Sequence, residues 1–435
     1  MLTKIRIKNF KCFQDTGELD IRPLTFLVGP NSSGKSSLLK ALLTLKQTVD
    51  STDFQNALIA NDKWIQLGAY PEFVYKGESM RNIDISMELT TPARFNKMEI
   101  PNYIKFNFSL RYNHKTTQIE LEKSEIAAGK EYKLQIIRKK SRNEYYAKFT
   151  YKTNDEHKTL KYNNVFPLKF YNFVPSLKKG ETYEEKLKER LPPRIYWTMS
   201  LIIEDVLRDF FYLGPLRDYP RRFYITSGQA PPDVGIRGER AIDVLWLSHR
   251  SDSKVEDEVR DWLKKFDIAQ DIKLTRVRKG NYYIVNIVDP QTGTEVNIAD
   301  IGFGASQTLP IIIESFYAPS DSVILIEQPE IHLHPKAQSI LGDLFIKAVK
   351  EKNRTFIVET HSEHILSRVR RRIAERKIGT DNIAIYYFEP TPEGTKIQRV
   401  TINDQGQYES FPEGFFEEDV TEAFEHLKAI SESTS

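Results

Sequence analysis

The 435-residue sequence contains a single cysteine, Cys12. That excludes an internal disulfide framework and a multi-cysteine zinc site, and it fits a reducing, cytoplasmic setting. Long apolar runs are missing as well. LPIII and SVILI fall far short of the ~18 residues that suggest a membrane span. The opening MLTKIRIKNFKCF alternates charged and apolar residues and has no apolar signal core, so no membrane partner is expected. Internal repeats, heptad runs and low-complexity segments are also lacking. Secreted mini-scaffolds, membrane channels, coiled-coil arms and collagen-like chains are therefore out.

Charge of one sign is lacking overall, with a net of +3, but it is unevenly spread. Residues 101–200 hold 21 Lys and Arg against 11 Asp and Glu, a surplus of +10 that leaves about −7 for the rest. A second basic run is Arg368, Arg370, Arg371, Arg372, Arg376 and Lys377. Such asymmetry fits either an anionic partner or a solvated face. Arg368, Arg371 and Arg372 share a face at i, i+3, i+4 spacing. That face suits DNA contact, solvent or a subunit contact.

The pattern then gives fold class. IRIKNF alternates with period 2, LTFLVG is an apolar run ending in a glycine loop, and SSLLKALLTLKQ has helical leucine spacing. Between 85 and 200 the chain reads as successive strands rich in Tyr and Phe. TMSLIIEDVLRDFFYLG reads as helix, and KVEDEVRDWLKKF as an amphipathic helix. From 301 the order is glycine turn, helix, strand, helix, strand, helix, with IAIYYFE and GTKIQRVTIN as a closing hairpin. We expect an α/β chain in which one domain is split in sequence. Residues 1–85 form its N-terminal part, 86–200 a basic β-rich insertion, and 201–435 its C-terminal part.

Gly29-Pro30-Asn31-Ser32-Ser33-Gly34-Lys35-Ser36 fits G-x-x-x-x-G-K-[ST], with Ser37 continuing into the helix. The two glycines let the backbone N–H groups curl around phosphates, the helix adds its positive N-terminus, Lys35 reaches the β- and γ-phosphates, and the Ser36 hydroxyl ligates Mg²⁺. SVILIEQPEIHLHP is an apolar strand ending in acid, with Glu327 placed to hold the Mg²⁺. TFIVETHSEHIL is another buried strand, ending at His361. In Asp300-Ile301-Gly302-Phe303-Gly304-Ala305-Ser306-Gln307, a glycine-serine turn opens a helix and offers donors to an anion. His332, His334 and Glu330 lack a further ligand cluster, so a metal beyond Mg²⁺ is not expected. Cys12 reads as a small packing residue.

These motifs carry a resemblance. I-x-I-K-N-F-K-x-F before GPNSSGKSS resembles the heads of structural-maintenance, Rad50-like and RecF-like ATPases. SVILIEQPE running into HLHP, followed by ETHS, resembles the ABC-type AAA-family ATPases grouped with the OLD (overcoming lysogenization defect) proteins, many of which serve in anti-phage defence. GPLRDYPRRFY and FPEGFFEED are similar to one branch of that group. The resemblance covers roughly 1–80 and 200–420, and the central region matches nothing.

The resemblance implies a P-loop NTPase, ABC-type ATPase head with a mixed sheet flanked by helices. It also implies a homodimer, or higher oligomer, with ATP and Mg²⁺ in the interface. FGASQ stands where the group has its signature, although here the serine is Ser306 rather than second in the motif. Gly304, Ser306 and Gln307 would lie near the partner's γ-phosphate. His361 would be the switch histidine, Lys11 would approach the nucleotide, and Gln66 would be the glutamine-loop residue. The position that holds the catalytic glutamate in the group is Gln328, which can orient a water but cannot take its proton. Either Glu330 serves as base, or Gln328 positions water and turnover is slow, or a base elsewhere in the chain serves.

OLD nucleases carry a C-terminal Toprim domain with paired acids. Here 74 residues follow His361 and contain no Asp-x-Asp, so no nuclease activity is expected from this chain. The resulting expectation is a regulatory ATPase of an anti-phage system that controls a separate nuclease or toxin. The alternative is a RecF- or Rad50-like ATPase that binds DNA directly through the basic insertion. An importer engine fits the embedded insertion poorly.

Overall fold

The computed structural model describes residues 1–54, 56–95, 100–139, 144–153, 156–175, 194–225, 229–251, 254–277, 282–410 and 412. The chain opens with β1 (Leu2–Phe10), β2 (Phe13–Asp15), β3 (Leu19–Asp20), β4 (Leu24–Val28) and helix α1 (Lys35–Asp50). Next come β5 (Ile83–Thr90), β6 (Tyr103–Asn113), β7 (Gln118–Ala128), β8 (Tyr132–Arg138), β9 (Tyr145–Thr153), β10 (Glu156–Leu168) and β11 (Asn172–Pro175). After them lie α2 (Arg194–Arg208), β12 (Phe210–Leu213), β13 (Tyr224–Ile225), α3 (Ala241–Arg250), α4 (Lys254–Lys265), β14 (Asp271–Arg276), β15 (Tyr282–Val288) and β16 (Glu295–Asn297). The last elements are α5 (Phe303–Tyr317), β17 (Val323–Glu327), α6 (Pro335–Lys352), β18 (Thr355–Glu359), α7 (Glu363–Ala374), β19 (Ile383–Thr391), β20 (Gly394–Ile402) and β21 (Tyr408–Ser410).

The site is carried by a seven-stranded sheet in the order β12-β17-β18-β4-β19-β20-β21. Its first five strands run parallel, and the β19–β20 hairpin adds an antiparallel edge. β4, β17 and β18 are buried at every residue, as parallel strands covered on both faces must be. Their side chains alternate between two cores. Leu27, Leu325 and Ile357 join the core that holds α1, α2 and the large antiparallel sheet. Phe26, Ile324, Ile326, Phe356 and Val358 join the core that holds α5, α6 and α7.

The second large sheet has ten strands, with β11 to β5 in descending order, then β1 and β2, and β3 also on β1. β5 pairs with β1 from Leu2↔Leu89 to Lys8↔Asp84. The strands between 83 and 175 therefore continue the sheet that β1 begins, and the division expected at 85/86 falls inside β5. Part of the basic surplus is paired within this sheet, as in Lys105–Glu88 at 2.8 Å and Lys133–Glu125 at 2.9 Å.

One element departs from the sequence reading. FFYL is not the end of a helix: α2 stops at Arg208, and β12 pairs in parallel with β17 from Phe210↔Val323 to Leu213↔Ile326. An apolar run without a breaker fits either state, and here the neighbouring strand edge decides it. The tail FPEGFFEED lies outside the described residues except for Pro412. No helix among the described residues is long and apolar enough to cross a membrane.

Candidate functional site

The glycine loop leaves β4 at Gly29 and enters α1 at Lys35. Gly29 (φ 138°) and Gly34 (φ 101°) occupy backbone regions that favour glycine. A Cβ on Gly29 would run into the Phe388 carbonyl oxygen of β19, and one on Gly34 into the Cys12 sulfur. The loop is thus pressed between β19 and the β1–β2 turn. Thr395 ties the two together: its hydroxyl donates to the Ser33 carbonyl at 2.7 Å, and its N–H donates to the Cys12 carbonyl at 2.9 Å. Cys12 packs as expected. Lys11, one residue earlier at φ 49°, donates its N–H to Phe73. Burial and then neighbouring Lys40 push its ammonium below the usual lysine range.

Pro30, Asn31 and Ser32 form the exposed crest of the loop, and Ser33 lies buried beneath them. The Lys35 ammonium is buried and donates to the Gly29 and Pro30 carbonyls at 2.9 and 2.8 Å. Burial lowers its pKa, against the pull of Glu359 and Glu330. Ser37 donates its N–H to Gly34 and begins the helical ladder.

Two carboxylates meet this loop from adjacent strand ends. Glu327 closes β17 and Glu359 closes β18, and the register pairs them directly. The Ser36 hydroxyl donates to Glu359 Oε2 at 2.7 Å, and the Tyr212 hydroxyl donates to Glu327 Oε1 at 2.8 Å. Both acids are buried. Burial, followed by the charge of Glu359, pushes Glu327 up to about 7. Glu359 is also raised, by burial.

Beyond Glu327 the chain turns sharply. Gln328 sits at φ 45° and donates its N–H to the Glu359 carbonyl at 2.8 Å. Buried Arg217 clamps the turn, with one amino group on the Glu327 carbonyl at 2.9 Å and the other on the Gln328 carbonyl at 3.1 Å. Burial lowers its guanidinium to about 10. Glu330 turns inward and accepts the backbone N–H of His361 at 2.6 Å. Burial raises its carboxyl. His361 is an exposed residue two positions beyond β18, with its pKa lowered by partial burial and by Lys35. His334 is committed to capping α6, where Nδ1 accepts from the Lys336 N–H. No group of three metal-ligating side chains stands among the described residues.

Contacts therefore bring Lys35, Ser36, Glu327, Gln328, Glu330 and His361 together, with Lys11 beside the loop through Cys12. Gln66 is exposed and bridges Asn61 instead. At the signature-like turn, Gly304 packs toward His332 and Leu333, after the β17 strand. Ser306 and Gln307, expected against a partner's nucleotide, are both buried in the chain's own packing. Gly302 is exposed at this helix start, and Gly304 is half-buried. In the basic run, Arg368 and Arg372 of α7 bind Asp343 of α6 at 2.5 Å, and Arg371 pairs with Glu375. Two of the three face residues thus serve helix packing.

Sequence reasoning missed Glu359, Tyr212, Arg217 and Thr395. Glu359 had a signal, because TFIVE repeats the VILIE pattern of apolar strand and terminal acid. The donor set fits nucleotide with Mg²⁺. Hard oxygen ligands, Ser36 and Glu327, flank an ammonium and a helix N-terminus suited to phosphate.

Residues 24–367 match the family described as "AAA domain, putative AbiEii toxin, Type IV TA system". Residues 378–425 match one described as "Protein of unknown function (DUF3696)". The chain is 30% identical over 94 residues to an OLD nuclease of Thermus scotoductus, covering 21% of this chain and 15% of that protein. It thus spans under a sixth of that relative's length. Solved structures similar to it include an SMC head bound to the C-winged helix domain of ScpA, at 11% identity and a TM-score of 0.45 over 92% of this chain and 98% of that one. Another is the SMC head domain from Thermotoga maritima, at 11% identity and a TM-score of 0.41 over 92% and 99%. The first family match takes in well over half of the chain, so the protein belongs to this AAA domain family.

Proposed function

We propose that the chain is a Mg²⁺-dependent ATPase that binds ATP, hydrolyses it slowly and uses the bound state as a signal. It acts as an ATP-sandwiched homodimer, or a higher oligomer, that governs a separate effector, a nuclease or toxin, in anti-phage defence. The observation that carries this reading is the pairing of a complete phosphate-binding apparatus with a handicapped base. Lys35 and Ser36 close the glycine loop, and Gln328, an amide rather than an acid, follows Glu327. An amide cannot take up the proton of an attacking water. Glu330 is turned to the backbone of His361.

In this reading Lys35 and the α1 N-terminus hold the phosphates. Ser36 and Glu327 hold Mg²⁺, which neutralises phosphate charge when bound. Gln328 orients water and His361 faces the terminal phosphate. Glu330 keeps the His361 turn in position. Gly302 and Gly304 meet the second chain. No nuclease site is proposed.

The test is nucleotide turnover of the purified chain, together with an affinity pull-down in ATP and Mg²⁺. Slow turnover and a stoichiometric protein partner are expected, with both lost in Lys35→Ala. Turnover comparable to fast motor ATPases would overturn the slow-switch reading. Co-purifying DNA without a protein partner would replace it with a RecF- or Rad50-like one, whose binding weakens steeply with salt.

A further inference from the structure

One acid at a strand end is enough to hold the metal in the nucleotide site described above, and this chain supplies two. Glu327 and Glu359 are directly paired residues at the ends of adjacent parallel strands. Strands lie about 4.8 Å apart, and paired residues project on the same side. Glu327 and Glu359 are 8% and 4% exposed. Each has a neutral hydroxyl as partner, Tyr212 for Glu327 and Ser36 for Glu359. Among the described residues neither forms an ion pair with a lysine or arginine, although Lys35 and Lys40 act on Glu359, and Lys40 and Arg217 on Glu327, by charge at longer range.

Two neighbouring carboxylates taken out of water repel each other and each forfeits hydration, so a pair like this takes up either a proton or a cation. The independent pointer to which cation is Ser36. It is the hydroxyl that follows the phosphate-binding lysine, where a divalent ion arrives with nucleotide, and it already touches Glu359.

We infer that Glu359 is a second anionic ligand for the divalent cation, which Glu327, Glu359 and Ser36 together would hold. This rests on the nucleotide reading above. Two acids in place of one raise the negative charge of the site. The chain should then hold metal-bound nucleotide tightly and repel metal-free nucleotide.

Glu359→Gln separates this from a purely structural role. The amide oxygen can still accept the Ser36 hydroxyl, while the charge is gone. The probe is Mn²⁺ with ADP, followed by the electron paramagnetic resonance signal of free Mn²⁺. ADP alone is titrated in EDTA. Relative to wild type, Glu359→Gln should bind Mn²⁺ in the presence of ADP at least about tenfold more weakly, the lower range for losing a supporting group at a metal site. It should bind ADP in EDTA more tightly. Glu359→Asp, which keeps the charge, should retain the wild-type ranking of the two titrations. It carries the test if the amide variant does not fold. Wild-type behaviour of Glu359→Gln in both titrations, or Glu359→Asp behaving like an uncharged residue, would overturn the inference alone. A wild-type protein that binds neither ADP nor Mn²⁺ with ADP would defeat the nucleotide reading and this inference with it.

Discussion

Glu330 and His361, 31 positions apart, are joined by a 2.6 Å hydrogen bond from the His361 backbone N–H to Glu330 Oε1. The bond ties the turn after β17 to the turn after β18 and gives Glu330 a job other than proton transfer. Glu330→Gln keeps an acceptor, so its ATP turnover should stay within about threefold of wild type. Glu330→Ala leaves a buried N–H without its partner, at a cost of about 1–3 kcal/mol, and should lower turnover by more than about tenfold as the His361 turn loosens. Steady-state phosphate release on the two variants checks this. A dead Glu330→Gln with normal nucleotide binding would restore Glu330 as the base.

Restoring a proton acceptor next to Glu327 should accelerate the chemistry. Gln328→Glu is expected to raise turnover by at least about tenfold, below the 10²–10⁴ range of general-base catalysis because its surroundings evolved around an amide. Nucleotide affinity should be unchanged. Single-turnover hydrolysis compared with equilibrium binding separates the two.

Arg217 satisfies two carbonyls that the sharp turn at Gln328 leaves pointing inward. Arg217→Ala removes both donors and should cost ~3 kcal/mol, the scale of orphaning two buried acceptors. Arg217→Lys should recover less than half of that loss, because an ammonium on a flexible stem lacks the planar fork that spans both oxygens. Urea unfolding of the three proteins measures it.

Glu314 on α5 is fully enclosed and accepts the Val234 N–H at 3.0 Å, and burial pushes its carboxyl up to about 7. A raised acid holds more protons folded than unfolded, so stability should fall as pH rises from about 4.5 to about 7 and level off above. The size is about 3 kcal/mol at most, from 1.36 kcal/mol per pKa unit. Unfolding free energies across that range should show the slope, and Glu314→Gln should flatten it.

The glycine loop, the two acid-ended strands and the His361 turn could be read from residue types because each needs a fixed chemistry at a fixed spacing. Glu359 could not be assigned, since its role depends on strand register: only the pairing with Glu327 shows that the two acids share one spot. Tyr212 was hidden inside an apolar run that looks helical until β17 captures it. Ser306 and Gln307 carried the right chemistry for a partner's phosphate, but the packing of α5 buries both, and no local pattern reports that.

The position of β4 has a consequence for synthesis. The strand that launches the glycine loop lies between β18 and β19, so its neighbours are made more than 300 residues later. A ribosome must add more than 300 residues after β4 before Leu24, Phe26 and Val28 are covered on both sides. Long-range pairing of this kind is slow and leaves apolar surface open to aggregation. β1 and β5 can zip early into the antiparallel sheet and anchor the waiting segment. Loss of that early scaffold should show first as poor soluble yield, before any defect in the folded protein.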